Sequence, residues 1–110
     1  MKNQNVQDYE YEIYVPVYAN GGAAYPEHML ASLREKLVQK FGGITDTRHK
    51  NKGVWKIGST KYVDELIIWR ALSIGEGAQD PFMKNLKAEM ESSLQQKEIL
   101  IVKRPVTVIH

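Results

Sequence analysis

The sequence predicts an α+β domain in which two helices lie on one face of a four-stranded antiparallel sheet. Two observations carry most of that prediction. The stretch Asp64–Ser73 (DELIIWRALS) is apolar on both sides of a strand, with Leu66, Ile68 and Leu72 alternating with Ile67, Trp69 and Ala71. Arg70 is its one residue out of pattern, and a strand of this kind needs cover on both faces. Elsewhere, Leu30, Leu33, Leu37 and Phe41 repeat at helical spacing, and Met83, Leu86, Met90 and Leu94 repeat the same 3, 4, 4 rhythm. Two helices with matching single stripes are expected to share one sheet face.

Taken in order, residues 1–8 (MKNQNVQD) are expected to form a polar, disordered tail, with a single domain over 9–110. Tyr9 to Tyr18 alternates as a strand, and Pro16 must lie near its end, at a bulge or on an edge, because it has no N–H to give a ladder. Ala19 to Tyr25 (ANGGAAY) is a loop of small residues. Pro26 suits the first turn of a helix, Glu27 and the lysines at 36 and 40 complement its dipole, and Gly42-Gly43 ends it. Residues 44–61 are extended, turned and extended again, which fits either one long bulged strand or a small hairpin. Asp80-Pro81 opens the second helix. Ile99–Val102 is a last strand that can resume beyond Pro105.

The resulting order, β-α-β-β-α-β, is the split βαβ plan of a ferredoxin-like plait, with both helices on one side. Its other face would then expose apolar residues, Tyr14 and Tyr18 among them. A second copy of the chain is the expected cover, giving a homodimer through the sheet face. The element order, with FGGIT (Phe41–Thr45) closing helix one and GVW (Gly53–Trp55) soon after, resembles small bacterial ferredoxin-like proteins of the dimeric α/β-barrel type. That broad group includes haem-degrading and quinol-type monooxygenases and plain ligand binders, so the resemblance implies a fold and no single activity.

Composition bounds the function. The chain has 110 residues, no cysteine and a net charge of +2, which excludes a disulfide framework, thiolate metal sites and thiol nucleophiles. No apolar run is long enough to span a bilayer, and the polar N-terminal stretch carries no signal-peptide core, so a cytoplasmic protein without a membrane partner is expected. His28, His49 and His110 share no ligand spacing, so no metal site is expected, and no cofactor is indicated.

Three clusters could carry chemistry. Asn20–His28 (NGGAAYPEH) places two glycines before a helix start, where His28 could act as acid or base and Asn20 and Tyr25 could contact a small ligand. The plain alternative is a permissive loop with an exposed histidine, and Glu27 opposes an anion there. Arg70 and Trp69 are the second cluster. The arginine must reach solvent, a carboxylate such as Glu10 or Glu12, or a ligand, while the indole could stack a ligand ring or simply fill the core.

The third is Asp46–Lys61, where five cations against one anion give +4, leaving −2 for the rest of the chain. Arg48, His49, Lys50, Lys52, Trp55 and Lys56 could form a nucleic-acid or nucleotide surface. They could equally form a solvated edge that blocks aggregation. The leading expectation is therefore a homodimer binding a small ligand between sheet and helices. A nucleic-acid module and a protein-interaction module are the alternatives, and whether the chain is an enzyme stays open.

Overall fold

A computed structural model describes residues 5–110; the first four residues of the expected tail lie outside them. The elements run β1 (Asp8–Pro16), α1 (Glu27–Phe41), β2 (Thr45–Asp46), β3 (Asn51–Ile57), β4 (Thr60–Ser73), α2 (Asp80–Ser93) and β5 (Ile101–Val106). All the strand pairings are antiparallel, in the order β2-β4-β1-β5, with β3 also on β4.

The four-stranded ferredoxin-like plait is thereby overturned: the sheet has five strands. The physical reason lies between Asp46 and Asn51. Thr45 and Asp46 pair with Arg70 and Trp69, whereas Asn51 pairs with Leu66, so two extra residues sit on the outer chain between the two pairings. This bulged stretch is pinned by the Thr47 amide donating to the Ile68 carbonyl at 3.2 Å. Arg48 occupies the left-handed region at φ 53°, a conformation unusual for a side-chain-bearing residue, and its amide donates to Asp46 Oδ1 at 2.9 Å. The break separates β2 from β3, and β3 returns through a tight turn as a long hairpin with β4. Both readings of residues 44–61 therefore hold a part of the answer, a bulge and then a hairpin.

Alternation sorts the sheet into two faces. Tyr11, Ile13 and Val15 of β1 and Trp69 and Ala71 of β4 are buried with Leu30, Leu33 and Leu37 of α1 and Met83, Leu86 and Met90 of α2. Each of the valine, leucine, isoleucine and methionine side chains among these contributes about 1.5–3 kcal/mol when fully removed from water. Helix α1 begins one residue after Pro26 and stops at Gly42, whose φ of 82° favours glycine and whose amide donates to the Val38 carbonyl at 2.8 Å. A Gly42→Ala variant has room for its methyl group but must adopt that strained backbone. It is expected to lose about 1 kcal/mol of stability, read as a lower urea midpoint at unchanged slope. Pro16 ends β1 as its missing N–H requires, and β5 carries Pro105 on the outer edge of the sheet.

On the helix-free face Arg70 finds one of the two carboxylates the sequence offered it. At its centre Glu12 is buried between two arginines, pairing with Arg104 and lying 3.9 Å from Arg70 Nε, and Arg104 is also 3.6 Å from Glu10. Arg70 is out of pattern because it neutralises a carboxylate there. The exposed apolar residues concentrate further along, on the β3–β4 hairpin.

Candidate functional site

Where β1 ends and α1 begins, the sheet and helix part to leave a cleft of about 260 Å³, close to the lower end of small-molecule sites at about 300 Å³. Its floor is apolar: Val15 and Pro16 from β1, Leu30 from α1, and Ile67 and Trp69 from β4. Four charged residues border it, Glu27 and Arg34 from α1, Asp46 from β2 and Arg48 from the bulge.

Each is positioned by local structure. Glu27 and Arg34 are seven residues apart, two turns of one helix, and so share a face; their side chains form an ion pair. Arg34 also reaches Asp46 Oδ2 at 3.7 Å, and its guanidinium lies 5.7 Å from the Trp69 ring centroid, a cation–π placement. Asp46 holds the bulge through the Arg48 amide, so the same carboxylate fixes the backbone of one rim residue and orients another. Two cations and two anions leave the rim formally neutral. A second cavity, of about 230 Å³ beside Phe41, Leu72 and Glu76, gathers fewer charged groups and no indole.

The sequence candidates separate accordingly. Trp69 and Arg48 both line the cleft, although Trp69 is almost wholly buried, with the Arg34 guanidinium over its ring. Arg70, on the other face, serves Glu12. His28 is exposed on α1 and does not line the cleft; its neighbour Glu27 does. Asn20 and Tyr25 fasten their loop to the end of α2. Asn20 Nδ2 donates to the Gln95 carbonyl at 3.0 Å, and the Tyr25 hydroxyl donates to the Leu94 carbonyl at 2.7 Å while accepting from Gln96 Nε2.

The basic candidates also scatter. Lys50 is held 3.0 Å from the Tyr18 hydroxyl, and this bond raises its pKa. His49 is exposed beside it. Lys52 and Lys56 point from the side of the hairpin opposite Trp55, whose Nε1 donates to Asp64 Oδ2 at 2.9 Å. Rings and lysines therefore do not form one surface. Sequence reasoning missed Arg34 and Asp46 as site residues. The Glu27–Arg34 spacing was a readable signal, but Asp46 could be placed only once the β2–β4 register was known.

Among the described residues no three His, Asp or Glu side chains cluster in a way that could hold a metal ion, and no helix is long and apolar enough to cross a membrane. No family model matches the chain, and no curated protein matches it. Among solved structures it is similar in fold to a phage SAM lyase in complex with S-methyl-5'-thioadenosine, with a TM-score of 0.68 at 9% identity over 96% of this chain and 86% of that one.

Proposed function

We propose that this chain binds a small, uncharged or zwitterionic ligand in the cleft between β1, β4 and α1, with a nucleoside thioether of the S-methyl-5'-thioadenosine kind as the chemistry it fits. The observation that carries the reading is the convergence of Glu27, Arg34, Asp46 and Arg48 on an apolar floor containing Trp69. An apolar floor receives a flat ring and a thioether, and carboxylates at the rim accept hydrogen bonds from sugar hydroxyls. With Arg34 already matched by two carboxylates, a phosphate would meet Arg48 and, beside it, the like charges of Glu27 and Asp46. The fold it shares with a protein whose structure holds S-methyl-5'-thioadenosine supports the same reading.

Calorimetric titration tests it. The thioether is expected to bind at least about tenfold more tightly than adenosine monophosphate. Asp46→Asn, which keeps the acceptor that holds the bulge but removes the charge facing Arg34, is expected to weaken binding about tenfold with the circular dichroism spectrum unchanged. No heat of binding at about 1 mM thioether, or a preference for the monophosphate, rejects the reading.

A further inference from the structure

We infer that a flat ring of the ligand lies on the guanidinium plane of Arg34, which makes this residue the one that selects ligands carrying a neutral heteroaromatic ring; the assignment rests on the cleft being the thioether site proposed above. A stacked ring needs a planar surface that it can reach. Most of the apolar floor is out of reach: Trp69 is 1% exposed, Val15 1% and Leu30 8%, and Pro16 is buried too. What lies over the indole is Arg34, whose guanidinium carbon stands 5.7 Å from the ring centroid and whose side chain keeps 25% of its surface exposed. The indole is therefore the backing of the site, and the guanidinium is the planar surface it offers.

A guanidinium donates hydrogen bonds only along its edge, so both of its faces are free for rings, as where nucleobases stack on arginine planes. The edge of Arg34 is taken. One terminal nitrogen pairs with Glu27 and the other lies 3.7 Å from Asp46 Oδ2. Asp46 is itself held, by the Arg48 amide and by its ladder position opposite Trp69. Contacts at two nitrogens fix the orientation of the plane, and a plane ordered in advance loses little entropy when a ring is laid on it. Arg48, the other guanidinium at the cleft, is exposed, and among the described residues its side chain makes no hydrogen bond or ion pair, so it would have to be ordered on binding. With its edge committed to two carboxylates, Arg34 has little left to give an anion; what it offers is its face.

Calorimetry with S-methyl-5'-thioadenosine and with methylthioribose, the same thioether sugar without its base, tests the assignment. The wild type is expected to bind the nucleoside at least about tenfold more tightly than the sugar. Arg34→Lys keeps a positive charge between Glu27 and Asp46 but has no plane. It is expected to weaken nucleoside binding about tenfold and sugar binding by less than about twofold, with the circular dichroism spectrum unchanged. Undiminished nucleoside binding by this variant, or an equal loss for both ligands, overturns the assignment and leaves the thioether site standing. Should the variant fail to fold, the wild type decides by itself: equal affinity for the two ligands overturns the assignment while the cleft still binds a thioether. A wild type that binds neither overturns the site and the assignment with it.

Discussion

Replacing Trp69 with alanine is expected to destabilise the domain by about 3–5 kcal/mol, a large share of the total stability of a chain this size. Trp69 is 1% exposed and stands where three strands meet, paired with Ile13 of β1 on one side and Asp46 of β2 on the other. Its ring fills the space between sheet and α1 and carries the Arg34 guanidinium. Alanine removes that volume from a core whose surrounding strands and helix can close only in part, so a cavity term adds to the lost transfer energy. Urea unfolding followed by far-UV circular dichroism measures it. A loss below about 1 kcal/mol would mean that the indole is not a core element. Because the same ring floors the cleft, Trp69→Ala should abolish ligand binding as well, and Asp46→Asn is the cleaner probe of the site.

The second large effect concerns Tyr11. Its hydroxyl donates to Asp80 Oδ1 at 2.9 Å and accepts from the Gln79 amide at 2.7 Å, tying the middle of β1 to the start of α2. Lys103 on β5 completes the group, 2.9 Å from the other Asp80 oxygen. A Tyr11→Phe variant keeps the ring but leaves the Gln79 amide without this acceptor and Asp80 without one donor. It is expected to cost about 2 kcal/mol.

The cluster also predicts a pH signature. The Lys103 ammonium, and after it the Tyr11 hydroxyl, hold the Asp80 carboxyl below the usual range. A depressed carboxyl contributes stability above its unfolded pKa, near 4, and loses it as pH falls through the folded value. The gap between wild type and Tyr11→Phe should therefore narrow from about pH 7 to about pH 3. Burial, chiefly, raises the Tyr11 hydroxyl above 10. Its contribution is present below the unfolded pKa and fades as pH rises through the folded value, so the wild type alone should lose this component in alkali. A gap that stays constant across both limbs would assign the effect to packing instead.

These residues divide between what local pattern reveals and what it hides. The two helices were legible because an apolar stripe is a property of a short window: Leu30, Leu33 and Leu37, and Met83, Leu86 and Met90, all turn out buried. The interior strand was legible too, since Ile67, Trp69 and Ala71 announce a covered face wherever the strand is placed. Trp69 could be named as a site candidate for the same reason. The error in strand number arose at Thr47–Lys50, where hydrophobic alternation gives no sign that two residues leave the ladder and return.

The cleft shows the same limit. By itself the sequence determined the helices, the interior strand with its Trp69 and Ala71 face buried and a net-positive segment, because each depends on neighbours within a few residues. Only the tertiary structure decided that Asp46 meets Arg34, that Arg70 and Arg104 bracket Glu12, and that Trp55 and the lysines part to opposite faces of the hairpin. Those outcomes depend on strand register, and a register is set by pairings between residues far apart in the chain.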